Sequence, residues 1–96
     1  MNVTRKENDI IIDGNIKTTS DFQAIKALID PLIDRNMQLQ IHVIDSISMT
    51  SSVIGYFTKL VLKDSVQLSL SIGNGELIEL LEELGVQELL HVRKLG

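Results

Sequence analysis

Residues Asp45–Lys63, DSISMTSSVIGYFTKLVLK, decide how this chain is read. The stretch begins at the end of a buried strand, passes through a short hydroxyl-rich loop and enters an amphipathic helix. Val53, Ile54, Phe57, Leu60 and Val61 recur at helical spacing and make one apolar stripe. Thr50, Ser51 and Ser52 crowd the start of that helix. Thr50 is the expected helix cap, because its hydroxyl can accept from first-turn amides that lack an intrahelical partner. Ser51 and Ser52 then stand as the first helical residues, near the positive end of the helix dipole, where an added anion is stabilised.

Around this stretch, length and composition set bounds. With 96 residues the chain makes one domain spanning 1–96 and has room for one modest core. Hydrophobic residues reach 44% while aromatics are only 3%, so the core must be built from Ile, Leu and Val. A net charge of −4 argues against a nucleic-acid partner, which needs a basic patch. Without cysteine there are no disulfides, thiolate metal sites or cysteine nucleophiles. The apolar run in MNVTRKENDIII is too short for a signal peptide or a membrane span. No membrane insertion is expected, and a cytoplasmic location is the default.

Upstream of the central stretch, residues 1–8 are polar and are expected to be frayed. Ile10, Ile11 and Ile12 lead into the turn signal Asp13-Gly14-Asn15, which predicts a short strand or edge hairpin within 9–17. Thr18 to Asp21 offer caps for an amphipathic helix carrying Phe22, Ile25, Leu28, Ile29, Leu32 and Ile33 on one face. Pro31 removes one amide from it, so a kink or break is expected near Asp30. Leu39, Ile41 and Val43 alternate with Gln40 and His42, the pattern of a strand with one apolar face.

Downstream, Val66, Leu68, Leu70 and Ile72 alternate with Gln67, Ser69 and Ser71 in a second such strand. Gly73-Asn74-Gly75 turns the chain into a helix with Leu77, Ile78, Leu81 and Leu84 as its stripe, ended by Gly85. Residues 86–92 form a last short apolar piece, readable as either helix or strand. The alternation of strand and helix implies parallel pairing and crossover connections. The fold class is therefore α/β: a small mixed sheet of about four to five strands with helices packed mainly on one face, because both main strands show a polar side.

These residues resemble the STAS domain family, the module of bacterial anti-sigma factor antagonists. That family opens its corresponding helix with Asp-Ser-Ser-Gly-Leu-Gly, and the chain reads Thr50-Ser51-Ser52-Val53-Ile54-Gly55 there. Its closing pattern resembles SIGNGELIELLEELGVQELLHV, and the likeness runs over roughly residues 9–93 with matching element order. The resemblance implies a regulatory protein–protein interaction module whose partner binding is switched by phosphorylation of Ser51. The implied partners are a serine kinase or anti-sigma-like regulator and a cognate phosphatase. Ser52 matches the neighbouring family serine and Gly55 the second motif glycine. Thr50 stands where the family has Asp, and Val53 where it has Gly.

Blander readings compete at each position. Ser51 can be a helix-start serine bonded only locally, and Ser46 and Ser48 plain loop polarity. His42 and His91 lie far apart with no carboxylate or third ligand at metal-site spacing, so ordinary histidines are expected. Gly73-x-Gly75 lacks the third glycine of a dinucleotide loop and the lysine of a nucleotide loop, which leaves a plain turn. Glu76, Glu79, Glu82 and Glu83 read as a solvated helix face.

Opposite the core stripe of the central helix lie Ser52, Gly55, Lys59, Leu62 and Lys63, with Tyr56 at the flank. This mixture beside Ser51 makes a reasonable partner-binding surface. An alternative is a non-switching STAS subunit of a larger assembly, such as a lipid-transport ABC ATPase complex, held by the same face. No nucleophile with its base, metal cluster or carboxylate pair is legible, so neither an enzyme nor a cofactor is expected.

Overall fold

Ile10, Ile12, Leu39, Ile41, Val43, Leu68, Leu70 and Ile72 are all buried, and they line one face of a five-stranded sheet in the computed structural model, which describes all 96 residues. Strands β1 (Asn2–Lys6), β2 (Asp9–Asp13), β3 (Gln38–Val43), β4 (Gln67–Ile72) and β5 (Val92–Lys94) lie side by side in chain order. β1 and β2 are antiparallel, and the other three pairings are parallel. Helices α1 (Thr19–Ile29), α2 (Ser51–Leu62) and α3 (Gly75–Glu83) make the crossovers. With strands added in sequence order, right-handed crossovers carry every helix to the same face. One cluster of 20 buried side chains results, joining Ile25, Val53, Phe57, Leu60, Leu77 and Leu81 to the inner side of the sheet.

The N-terminal segment departs from the sequence expectation. Residues 1–8 are not a frayed tail: Asn2–Lys6 pair along β2 through the two-residue turn Glu7-Asn8, with Glu7 at a φ of 55°. Arg5 Nε donates to the Glu7 carbonyl at 2.7 Å and supports that turn. The turn carries no Asn-Gly or Asp-Gly signal, and a solvated edge strand needs little apolar patterning, so composition alone does not reveal it.

α1 is capped by Thr18 in a reciprocal capping box with Asp21. It ends at Ile29, and one tighter helical turn, Asp30–Leu32, follows with Pro31 near its start, so the break falls where proline predicts. Gly85 takes the left-handed conformation just past α3, at a φ of 73°. Leu84 is a correction: it is the cap residue of α3 and 53% exposed, outside the buried stripe of Leu77 and Leu81. The unassigned piece 86–92 is a set of turns that delivers Val92 into β5, where it pairs with Leu70.

Candidate functional site

The carboxyl ends of β2 and β3 run into two loops that are laced together. Asp45 Oδ1 accepts from the Gly14 amide at 2.7 Å, and Asn15 Oδ1 accepts from the Ile47 amide at 2.9 Å. The buried Ser46 hydroxyl accepts from the Ile16 amide at 3.0 Å and donates to the Ser48 carbonyl at 2.6 Å. Ser48 Oγ donates back to the Ile16 carbonyl at 3.3 Å. Ser46 and Ser48 are thus structural, and Met49 plugs the core beneath them. These bonds fix the approach to α2 and hold its first turn at the carboxyl edge of the sheet.

Thr50 caps α2 as its sequence context predicts. It lies in the extended region, and its hydroxyl accepts from the Val53 amide at 3.3 Å. Ser51 and Ser52 follow as the first helical residues, both exposed, with the capping work already done by Thr50. No acidic residue lies in this first turn. An anion on Ser51 would meet the positive helix end without a like charge in the same turn.

Along the outer side of α2, Ser52, Gly55, Lys59, Leu62 and Lys63 are exposed, in agreement with the sequence pattern. Leu62 is the most open large apolar side chain at 69%. Lys59 Nζ is engaged with Asp64 Oδ2 at 3.0 Å, whereas Lys63 borders a shallow depression with Ile33, Asp34, Arg35, Asp64 and Ser65.

Tyr56 does not belong to that surface. It is 5% exposed and turns inward, with its ring edge-on to Phe22 at 6.0 Å between centroids. Its hydroxyl donates to Asp30 Oδ1 at 2.6 Å, Lys26 pairs with the other Asp30 oxygen, and the Lys26 ammonium lies 5.6 Å from the Tyr56 ring centre. Position 56 falls on the α1 side of α2, and α1 covers it. Burial pushes the phenol pKa far up, and the bond to Asp30 adds to the shift. For Asp30 burial works upward, but the bonds from Lys26 and Tyr56 outweigh it and leave its pKa lowered.

Two features carry little sequence signal. Ile47 is 52% exposed and Ile44 37%, both displayed by the laced loop that leads to Ser51. An isoleucine set between serines is out of phase with any stripe, which was its only trace. No carboxylate stands at metal-site spacing from His42 in the sequence, yet its Nε2 lies 3.0 Å from Asp9 Oδ1, brought there by the parallel β2–β3 register. The adjacent Ser71 hydroxyl accepts from Arg93 Nε at 3.3 Å and makes no bond to His42, so the three do not form a nucleophile–base pair. No cluster of three His, Asp or Glu side chains has metal-site geometry, and no helix is long and apolar enough to cross a membrane.

Compared with protein-family models, curated proteins and solved structures, the chain matches none.

Proposed function

We propose that this protein is a regulatory interaction module of the STAS type, whose protein partner is bound or released according to phosphorylation of Ser51. The single observation that carries the reading is the division of labour at the start of α2: Thr50 makes the cap bond, and Ser51 beside it is exposed. A kinase therefore meets a hydroxyl that the fold does not use. Phosphate there adds about −1.5 to −2 charges. The helix end stabilises it by about 0.3–1 kcal/mol, so α2 persists and the effect falls on the docked partner.

On this reading the partner rests on the laced loop and the first turns of α2, touching Ile47, Ser51, Ser52 and Gly55. Its class is a serine kinase or anti-sigma-like regulator, opposed by a phosphatase. Mass spectrometry of the protein from its host should find phosphate on Ser51 and not on Thr50 or the buried Ser46. Ser51→Asp should weaken the partner complex, Ser51→Ala should keep it, and both should melt like wild type. Absence of the modification under every growth condition, with both variants binding normally, would overturn the switch.

A second reading, a static subunit of a larger assembly such as a lipid-transport ATPase complex, is favoured by one observation. Leu62 and Lys63 are exposed at the far end of α2, about 17 and 18 Å along the helix from Ser51 at 1.5 Å per residue. Loss of the complex in Leu62→Glu or Lys63→Glu, with Ser51→Asp harmless, selects it.

A further inference from the structure

β5 covers only the carboxyl half of β4. It pairs with Leu70 to Ile72, and the turns at 86–91 leave the stretch from Val66 to Ser69 without a neighbouring strand on that side. Odd-numbered residues of β4 direct their backbone groups to β3, as the Gln67 amide does toward the Met37 carbonyl at 2.8 Å. Even-numbered residues therefore face the open side, where the Leu70 amide donates to the His91 carbonyl at 3.3 Å. Before Leu70, two positions of this edge are already used. The Val66 amide donates to the Leu60 carbonyl at 2.9 Å, and His91 Nδ1 donates to the Leu68 carbonyl at 2.9 Å. His91 does so from a left-handed backbone, with a φ of 49°. The Val66 carbonyl and the Leu68 amide bond to no other group of the protein.

These two groups border a hollow of about 560 Å³. Val61, Val66 and Leu68 line its helix side, and Gln38, Gln67 and Ser69 its other side. α3 ends at this end of the sheet, so its last turn and the turns after it bring Glu82, Glu83 and Glu88 here, all exposed. None of the three is in an ion pair, and residues 64–92 contain no lysine or arginine. The edge thus combines a vacant pair of strand hydrogen bonds, an aliphatic floor and uncompensated negative charge.

We infer that the open edge of β4 at Val66–Leu68 takes an extended, lysine- or arginine-bearing segment of a partner protein, added as a strand parallel to β4. Strand addition satisfies main-chain groups that an edge leaves vacant, and alternate side-chain pockets set its specificity. The parallel direction follows from which groups are free. In a parallel pair one residue donates its amide to residue i and accepts from residue i+2, here Val66 and Leu68. An antiparallel residue would exchange both bonds with a single residue, and Val66 and Leu68 each have one of the two groups occupied. The residue making both bonds stands opposite Gln67 and points its side chain away from the helices. Its two neighbours point inward onto Val61, Val66 and Leu68, which suits small aliphatic side chains. Cationic residues beyond them meet Glu82, Glu83 and Glu88. The site is separate from Ser51, at the opposite end of α2.

Titration of the full ¹⁵N-labelled chain with the peptide acetyl-Lys-Lys-Val-Thr-Val-Lys-Lys-amide tests this independently of the Ser51 reading. The Leu68 amide resonance should move downfield and its hydrogen exchange should slow. Methylating the backbone nitrogen of the central Thr removes the donor to Val66 and should abolish binding. The same methyl on the following Val, whose amide points away from β4, should leave binding intact. Replacing the four lysines by Glu should abolish it too. The double variant Glu83→Lys with Glu88→Lys, checked as folded by circular dichroism, should bind the peptide about tenfold more weakly. Ser51→Asp should bind it like wild type. A Leu68 amide that does not respond, equal binding of the Thr-methylated or the Glu peptide, or a double variant that binds normally would each sink the inference. A Leu68 shift that follows protein concentration without peptide would assign the edge to a second copy and overturn the partner segment.

Discussion

Tyr56 on α2 donates its hydroxyl to Asp30 Oδ1 at 2.6 Å, tying the central helix to the turn that ends α1. The same carboxylate receives Lys26 from one helical turn earlier. Three side chains thus join two helices at the point where Pro31 ends regular α-helix. Replacing the phenol tests the tie. Tyr56→Phe keeps the ring packing with Phe22 and removes only the hydroxyl, so urea unfolding should show a loss of about 1 kcal/mol. An unchanged midpoint would mean that water replaces the hydroxyl at no cost.

The pH dependence follows from the same pair. The folded-state pKa of Tyr56 lies above its ordinary value of 10, first through burial and then through Asp30. Folding therefore favours the neutral phenol: the contribution is complete below pH 10 and is lost as pH rises beyond it. Tyr56 is the only tyrosine and there is no tryptophan, so near-ultraviolet phenolate absorbance reports it alone. That absorbance should appear together with alkaline unfolding, not before it. Asp30 has the opposite sign, because its pKa is lowered from 3.8; its contribution is present above that pH and fades as pH falls through the folded-state value. Asp21, lowered chiefly by the Lys17 amide, follows the same direction at the start of α1.

Two glycines should respond oppositely to alanine. At Gly73 an added Cβ would lie 2.0 Å from the Ile44 carbonyl oxygen, a backbone atom that moves only with β3. Gly73→Ala should cost about 1–3 kcal/mol in thermal or urea unfolding. At Gly55, inside α2, a Cβ meets nothing within 4 Å. Gly55→Ala should stabilise by about 1 kcal/mol through helix propensity alone. A stable Gly73→Ala would show that the β3–β4 edge can spread.

Ser46 should be costly to replace despite lying in a loop. Ser46→Ala leaves the buried Ile16 amide without its acceptor, for a loss of about 1–3 kcal/mol. Hydrogen exchange should accelerate at Ile16 first. Unchanged protection at that amide would show that another acceptor takes over.

Much of this protein was legible in its sequence. The alternation in β3 and β4, the stripe of α2, the Thr50 cap, the proline break and the Gly85 stop are consequences of neighbours a few residues apart. Local spacing determines local hydrogen bonding and the apolar face of each element, so these could be read before any contact was known. The exposure of Ser51, Ser52, Gly55, Lys59, Leu62 and Lys63 follows from the same helical phase.

Tertiary structure alone decided the rest. Whether Tyr56 faced solvent or core depended on where α1 lies over α2, and periodicity places a residue on a face without saying what covers that face. Asp9 meets His42 across 33 residues of sequence through a parallel register. The polar N-terminal strand exists because β2 offers it an open edge with unpaired amides and carbonyls. Ile47 is displayed because Asn15, from a distant loop, holds its amide at 2.9 Å. Each of these depends on groups far apart in the chain being brought together by burial of the shared aliphatic core, and no local pattern encodes that distance.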